Sequence, residues 1–374
     1  MIERVELKNF KRFSRIRLPI APLTALVGTN GAGKSTLIQA LLLARLAAET
    51  SGEDPGVQLI GPSGLDLGET SDVLNWGATE TSLAVALVVT RGRKATWTFS
   101  TGGDRSQNLR LTDYTGPDPN RLGITGTKFV YLCAERLGPR DIGECSSDPA
   151  ETMDVGPRGE HAAHILALLE SREVTEPLRH PSSESGAVAH TLRTQVELWL
   201  SEIVRPIEVR AEWVANGSGV LLRFKAPGVR EDWMRPANAG FGLSYALPII
   251  VTALVLPEGG TLVVENPEAH LHPAGQARFG EFFARLALTG RQVIFETHSD
   301  HVIDGARRHL LEFGANLPRS AVMHFFSSSG VPDSVETEEI RLTDAADLTS
   351  RPRGFMDQRL ADQRLLQALR RARK

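Results

Sequence analysis

One short loop constrains the fold of this chain more than any other part of its sequence: Gly28-Thr29-Asn30-Gly31-Ala32-Gly33-Lys34-Ser35. The loop matches the pattern GxxxxGK(S/T) in full, and it stands between a short apolar strand pattern (residues 24–28) and an apolar helix pattern (residues 35–49). Glycines in such a loop let backbone N–H groups close around phosphate oxygens, the lysine neutralises them, and the serine hydroxyl can ligate Mg²⁺. The start of the following helix adds partial positive charge. The sequence therefore predicts a nucleotide phosphate site made by Gly28, Asn30, Gly31, Gly33, Lys34, Ser35 and Thr36.

The composition excludes several other classes of protein. The chain has 374 residues, of which 41% are hydrophobic and 23% charged, as in ordinary globular proteins. Its net charge of -3 gives no overall attraction to nucleic acid, so any such contact needs a local basic patch. Cys133 and Cys145 form no CxxC motif and favour a reducing compartment, so we expect a cytoplasmic protein. No run approaches the ~18 apolar residues of a membrane-spanning helix, and no membrane partner is predicted.

A second motif supplies the acid that a phosphate site needs for its metal ion. Residues 261–265 form a buried apolar strand pattern that ends in Glu265, far along the chain from the phosphate loop. A carboxylate at such a strand end can orient Mg²⁺ beside the Ser35 hydroxyl. Because the two motifs lie in distant parts of the sequence, we predict that both regions join in one α/β core.

The residue after this acid departs from the usual pattern of a nucleotide hydrolase. Where a carboxylate normally activates water, the sequence has Asn266. An amide orients water but does not accept its proton at neutral pH, which forfeits roughly 10²–10⁴-fold of general-base assistance. We therefore predict slow hydrolysis, unless Glu268, Glu296 or His298 supplies the base.

Two further stretches fit the same kind of site. Gly242 and Ser244 precede an apolar helix, where backbone amides and a hydroxyl can bind a second anion; taken alone, a glycine-rich turn is equally plausible. His298 ends the next strand pattern and can touch a γ phosphate, although a lone strand-end histidine is more often structural. The order of these motifs along the chain favours the functional interpretation.

At this point the sequence resembles a known group. The segments NFKRF, GTNGAGKST, GFGLS, VVENPEAHLHP and FETHSDHVI resemble the ABC-type ATPases of the RecF, SMC and OLD (overcoming lysogenization defect) group. The likeness is strongest to bacterial OLD-like AAA-type ATPases found beside phage-defence effectors. It implies an ATPase head that pairs with a second copy, so that ATP lies between one phosphate loop and the signature segment of the other head.

The resemblance also implies roles for single residues. Lys34 and Ser35 would bind phosphate and Mg²⁺, and Glu265 would orient the metal. Gly242 and Ser244 would reach the γ phosphate held by the second copy, and His298 would be the switch histidine. Lys11 or Arg12 of NFKRF would lie near the nucleotide. OLD nucleases carry a TOPRIM nuclease domain after the ATPase, and no such domain is expected in this sequence.

Other polar side chains leave two interpretations open. His270 and His272 make only a weak metal motif. Arg136 and Arg140 are candidates for contact with phosphate or DNA, and a surface ion pair is equally plausible. The basic end of the chain, residues 370–374, is more often a solvated helix end than a nucleic-acid contact.

These observations predict an α/β protein, an ABC-type P-loop ATPase head with a mixed sheet, an antiparallel side lobe and a small helical insertion. The segments are expected at 1–155 and 206–345 for the two parts of the head, 156–205 for a helical insertion that serves as a dimerisation or partner arm, and 346–374 for a basic C-terminal helix.

The predicted function is an ATPase that binds Mg-ATP, hydrolyses it slowly and forms a homodimer or higher homo-oligomer around it. It would act as a switch or sensor for an effector, such as a nuclease encoded nearby, in anti-phage defence. A RecF-like, ATP-dependent DNA-binding repair protein is the alternative. A transporter's nucleotide-binding subunit is disfavoured because the sequence lacks LSGGQ.

Overall fold

The computed structural model describes residues 1–50, 55–102, 105–149, 152–183, 188–215, 217–228, 232–314, 316–328 and 335–373. Its strands, in chain order, are β1 Ile2–Phe10, β2 Phe13–Pro19, β3 Leu23–Gly28, β4 Gly56–Gln58, β5 Ser82–Val89, β6 Arg93–Ser100, β7 Asn108–Thr115, β8 Phe129–Leu132, β9 Ile142–Gly143, β10 Glu208–Trp213, β11 Val220–Lys225, β12 Thr261–Glu265, β13 Gln292–Glu296, β14 Ala321–Ser328 and β15 Val335–Arg341. Its helices are α1 Lys34–Glu49, α2 Thr70–Val73, α3 Ala162–Leu169, α4 Leu192–Ile203, α5 Pro236–Ala239, α6 Phe241–Val255, α7 Pro273–Leu288, α8 Asp300–Phe313, α9 Leu317–Ser320 and α10 Gln358–Ala372.

A six-stranded mixed sheet forms the centre, in the order β15-β14-β3-β13-β12-β8. Only β15 runs antiparallel to its neighbour; the other pairs are parallel. Val263 and Val264 of β12 are both fully buried, although they face opposite sides of the sheet, as expected for a sheet covered on both faces. Parallel strands end at one edge, so the ends of β3, β13 and β12 lie side by side there. The predicted α/β core, built from both halves of the sequence, is confirmed.

A second six-stranded sheet forms the predicted antiparallel side lobe, in the order β2-β1-β5-β6-β7-β4. Strands β5 and β6 of this sheet form a hairpin across residues 90–92. Val5 and Leu7 of β1 are buried, whereas Glu6 and Lys8 between and beside them are not, which is the alternation of a sheet with one face in the core. This core also contains the apolar side of α1, so the lobe holds the helix that follows the phosphate loop.

The helices on the other face of the central sheet share one apolar core. One apolar face of α4, made by Leu192, Val196, Trp199 and Ile203, is buried in this core. Strands β10 and β11 pair antiparallel, and Asn216, in the turn between them, lies outside the described residues. The four predicted segment boundaries stay predictions. No helix in the described part of the chain is long and apolar enough to cross a membrane.

Candidate nucleotide-binding site

The phosphate loop joins the end of β3 to the start of α1. Gly28 approaches β14 so closely that an added Cβ would clash with the carbonyl oxygen of Phe326. Gly33, at the cap position of α1, has a φ of 105°, which only glycine adopts without strain. No side chain caps the helix, so the amide groups of its first turn are available to an anion.

Lys34 and Ser35 meet a carboxylate at the head of this loop. Lys34 is 3% exposed. Its Nζ donates to the carbonyl oxygens of Gly28 (2.9 Å) and Thr29 (3.0 Å), and it lies 3.5 Å from Oε1 of Glu296. The Ser35 hydroxyl donates to Oε2 of the same glutamate, at 3.1 Å. The carboxylate that contacts the predicted phosphate and metal ligands is therefore Glu296, at the end of β13.

Glu265 lies on the next strand, directly opposite Glu296 in the sheet register. The Tyr131 hydroxyl donates to its Oε1 at 3.1 Å. Burial raises the pKa of Glu265, and the nearby charge of Glu296 raises it further. Two adjacent carboxylates and a hydroxyl are the oxygen ligands that Mg²⁺ takes. No three His, Cys, Asp or Glu side chains in the described ranges gather as a metal site, so a Mg²⁺ here would complete its shell with phosphate and water.

A cavity of about 450 Å³ opens at this loop. It is lined by Lys11, Arg12, Asn30, Gly31, Gly33, Lys34, Ser35, Thr36, Gln39, Asp72, Trp76 and Glu296. The two basic residues of NFKRF thus lie in the wall of the same cavity. The Trp76 side chain is 75% exposed, although hydrogen bonds from Asn75 to the carbonyl oxygens of Asn9 (3.0 Å) and Lys11 (2.6 Å) fix the backbone beside it.

Asn266 adopts a left-handed conformation, with a φ of 44°, which asparagine tolerates better than most residues. Its N–H donates to the Glu296 carbonyl oxygen at 2.9 Å, whereas its buried Oδ1 has no hydrogen-bond partner among the described residues. Glu268 accepts from the Thr297 hydroxyl (2.8 Å) and from the His298 N–H (2.7 Å). Glu268 therefore holds the loop after β13, and the His298 side chain stays exposed.

One interpretation of the sequence places Arg136 in a surface ion pair. The structure contradicts this interpretation, because Arg136 is buried, with 2% exposure. It donates to the carbonyl oxygens of Cys133 (2.9 Å), Glu265 (2.6 Å) and Asn266 (2.7 Å). Its guanidinium also lies 5.3 Å from the ring centre of Tyr245 on α6. Burial lowers the pKa of Arg136 to about 10, so the group stays charged at neutral pH. This buried cation ties the turn after β12 to α6.

The start of α6 lies apart from the phosphate loop. Gly242 lines a cavity of about 550 Å³ that also contains His270 and His272. Ser244 lines a different cavity, of about 240 Å³, together with Arg140. The residue is 9% exposed, and its buried hydroxyl has no hydrogen-bond partner in the described part of the chain. The two residues face different sides because they are two positions apart on a helix.

The two histidines after β12 have local contacts. The ring of His270 packs against those of Phe241 (5.2 Å) and Tyr245 (4.5 Å between ring centres). His272 accepts from the Ala274 N–H at the start of α7, at 3.3 Å. These contacts give both side chains a structural role.

Sequence reasoning missed Tyr131, Trp76 and Gln39. Tyr131 belongs to an apolar strand pattern in which its hydroxyl gives no signal. Trp76 and Gln39 reach the cavity only through the folding of the lobe against α1. The one available signal for Trp76 and Gln39 is the NFKRF segment, because its resemblance implies a nucleotide close to Lys11. Both residues line the same cavity as Lys11.

Two parts of the chain match families of AAA ATPases. Residues 203–304 match the family described as AAA domain, putative AbiEii toxin, Type IV TA system. Residues 1–63 match the family described as AAA ATPase domain. The first match contains Ser244, Glu265 and His298, and the second contains the phosphate loop.

Two curated relatives are OLD nucleases. The protein from Thermus scotoductus is 24% identical over 341 residues, which cover 80% of this chain and 59% of the relative. The protein from Escherichia phage P2 is 23% identical over 330 residues, which cover 79% of this chain and 56% of the relative. The chain therefore spans less than two thirds of the length of either relative.

Solved SMC heads share the fold. One, solved as the SMC head bound to the C-winged helix domain of ScpA, superposes with a TM-score of 0.54 at 13% identity and covers 91% of this chain and 98% of that one. The SMC head with an extended coiled coil, bound to the C-terminal domain of ScpA derived from Pyrococcus furiosus, gives a TM-score of 0.55 at 14% identity and covers 100% of this chain and 99% of that one. In its fold, its two AAA segments and its relatives, the chain is therefore similar to the OLD-like, ABC-type AAA ATPases.

Proposed function

We propose that this ATPase binds Mg-ATP in the cavity at the phosphate loop, hydrolyses it slowly, and uses the bound state as a switch. One observation carries the proposal: in this cavity Lys34 and Ser35 contact Glu296, and Glu265 lies beside Glu296 at the end of the next strand. The position after Glu265, where a base is usual, holds Asn266. The site thus has the groups for binding a metal nucleotide and lacks the usual group for fast hydrolysis.

The residues that line the cavity suit both parts of a nucleotide, the triphosphate and the base. The phosphate loop amides and Lys34 would hold the triphosphate, with Ser35 and Glu265 as ligands for the metal. Bound Mg²⁺ would neutralise phosphate charge and polarise the γ phosphate. The lining also includes Trp76, whose ring suits a planar purine, and Asp72, whose carboxylate repels phosphate.

Hydrolysis would be slow because each acid near the site has another contact. Both oxygens of Glu296 contact Lys34 and Ser35, and both oxygens of Glu268 hold the loop at His298. The free Oδ1 of Asn266 can orient a water molecule but is not a base.

We also propose that ATP brings two heads together. Neither Ser244 nor His298 is among the residues that line the cavity at the phosphate loop within the described chain. The α6 start instead has uncapped amides and an unpartnered Ser244 hydroxyl. A second copy can bring these groups to the nucleotide, because exchange between two identical surfaces gives a closed homodimer.

The nucleotide state would be detected by an effector, which we propose to be a nuclease acting in anti-phage defence. Two relatives are named OLD nuclease, which supports a nuclease as the effector. The regions that match this chain are 59% and 56% of their lengths. A RecF-like role in DNA binding is the alternative, supported by the exposed arginines at the end of α10. ATP-dependent binding of duplex DNA without any effector would favour that alternative.

Binding of labelled ATP and release of phosphate, both with Mg²⁺, test the proposal. The wild-type chain should bind Mg-ATP and turn over more slowly than about 10 s⁻¹, the median for enzymes. Lys34→Ala should abolish binding, because the phosphates lose their main charge partner, whereas Lys8→Ala on the surface of β1 should change nothing. A wild-type turnover above that median, or full binding by Lys34→Ala, would contradict the proposal.

A further inference from the structure

We infer that Glu296 has two successive partners in the nucleotide site. It neutralises Lys34 when no nucleotide is bound, and it becomes a Mg²⁺ ligand, with Ser35 and Glu265, when Mg-ATP binds. The inference rests on the ATP binding proposed above. The sequence motif gives the metal-binding role to Glu265 at the end of β12, and the inference adds Glu296 at the end of β13 as a second carboxylate ligand.

The geometry of the nucleotide-free site supports the first partner. Glu296 is 8% exposed, and a buried carboxylate requires an opposite charge or hydrogen-bond donors. Lys34, at 3.5 Å, and the Ser35 hydroxyl, at 3.1 Å, supply both. These are the same two groups that a Mg-triphosphate needs. Glu296 therefore occupies the phosphate-binding lysine and the metal-binding serine while the nucleotide is absent.

The second partner follows from what ATP binding removes. When the β and γ phosphates take Lys34, Glu296 loses its counter-charge and lies beside both Glu265 and the triphosphate. Such a cluster of desolvated negative charge is unfavourable unless a cation joins it. Mg²⁺ takes one or two carboxylates together with phosphate oxygens and water. The existing Ser35–Glu296 hydrogen bond places the two protein ligands next to each other.

The order of the strands in the sheet explains why Glu296, and not Glu265 alone, would lie at the metal site beside Ser35. β13 lies between β3 and β12, so its end is the closer neighbour of the phosphate loop. Glu265 lies one strand further away and accepts from Tyr131. Glu296 should therefore make ATP binding depend strongly on Mg²⁺, because metal-free ATP must displace Lys34 from it and then face its charge.

Equilibrium dialysis of the full chain with radiolabelled ATP tests this role. Mg²⁺ is titrated, and a parallel series contains EDTA. Glu296→Gln keeps the shape and removes the charge. The Mg²⁺ concentration for half-maximal ATP binding should rise about tenfold or more, as for lost metal-site groups. Binding in EDTA should become equal to or tighter than that of wild type, because Lys34 is no longer paired with a carboxylate. Exposed Glu312→Gln on α8 is the matched control and should leave both values unchanged.

Binding of Mn²⁺ in place of Mg²⁺, followed by electron paramagnetic resonance with ATP present, gives a readout of the metal itself. Glu296→Gln should lose Mn²⁺ affinity by a similar factor, while Glu296→Asp, which keeps the charge, should retain part of it. Equal loss of ATP affinity with and without metal would mean that Glu296 only positions Lys34 and would overturn the inference, as would an unchanged Mg²⁺ dependence. If the wild-type chain binds no ATP under either condition, the proposed function itself has failed.

Discussion

Among single residues, Trp76 gives the most direct test of where the nucleoside lies. Its side chain faces the cavity and is 75% exposed, and its backbone is fixed through Asn75. Stacking of a base on an aromatic ring contributes roughly 1–3 kcal/mol. Trp76→Ala should therefore weaken Mg-ATP binding about 10- to 100-fold and leave binding of inorganic tripolyphosphate, which has no base, unchanged. Dialysis with each ligand measures both.

Two variants control this experiment. Trp76→Phe keeps a ring and should retain most of the ATP affinity. Trp213→Ala removes another exposed tryptophan (49%), on β10, and should have no effect. If Trp76→Ala binds ATP as wild type does, or loses ATP and tripolyphosphate equally, the base does not stack on this residue.

Asn266 gives a second prediction at this scale, concerning turnover. Asn266→Glu should raise turnover if the missing base limits hydrolysis, and leave it unchanged if Glu268 already supplies the base. Glu268→Gln separates these cases, since it should cost roughly 10²-fold or more only if Glu268 is the base. Single-turnover phosphate release measures both variants. Unchanged turnover in both would show that neither position limits hydrolysis.

The sequence predicts the place of the phosphate loop between β3 and α1, because a strand, a glycine-rich loop and a helix follow one another locally. The binding roles of the loop residues stay predictions. The sequence also predicts Glu265 as the acid of the site, since an apolar strand pattern ends there. It does not predict that Glu296 contacts Ser35, because the order of strands in a sheet differs from their order in the chain. The burial of Arg136 also escapes sequence reasoning, since its acceptors are carbonyl oxygens, which carry no sequence signal.

At the scale of elements, the packing of α7 on α8 depends on two glycines. A Cβ added at Gly280 would clash with the carbonyl oxygen of Val302, and one at Gly305 with that of Ala277. Gly305→Ala would gain about 1 kcal/mol of helix propensity. The overpacking penalty of about 1–3 kcal/mol should outweigh that gain, since the clashing atoms belong to the backbone of Ala277 and have little room to move.

Chemical denaturation measures this prediction as a fall in the free energy of unfolding, without a change in its denaturant dependence. Gly61→Ala is a suitable control because an added Cβ there lies 3.8 Å from its nearest neighbour, the Gln58 Oε1. Its stability should remain close to that of wild type. If Gly305→Ala is as stable as wild type, α7 and α8 can move apart enough to accept the added Cβ without loss of stability.

Some of these helices and strands can be predicted from the sequence, and others cannot. Strands β3, β12 and β13 follow from continuous apolar runs, and α4 from its apolar spacing. The short strand β4, with the sequence GVQ, has no apolar run of its own, and it forms because β7, a distant segment, pairs with it. Pairing with a distant partner is not encoded in a local pattern, so such edge strands are missed.

At the scale of the whole molecule, dimerisation by ATP gives the remaining prediction. Ser244→Arg should block pairing of the heads, because it fills the α6 surface proposed to meet the nucleotide of a second copy, and Ser244→Ala should weaken it by removing the hydroxyl. Light scattering with and without Mg-ATP measures the mass. Ser14→Arg, on the exposed side of β2, is the control. An ATP-dependent dimer that persists unchanged in Ser244→Arg would count against this arrangement.

The contacts of Arg136 have a consequence for how this protein can change over generations. The arginine donates to main-chain oxygens at Glu265 and Asn266, so its hold on the turn does not depend on the side chains there. Aspartate, which like asparagine tolerates the left-handed conformation of position 266, can therefore exchange the amide for an acid without rebuilding the turn. If the chain is the switch proposed above, the lifetime of its ATP-bound state would be open to adjustment by selection in one mutational step, while the fold around the site is preserved.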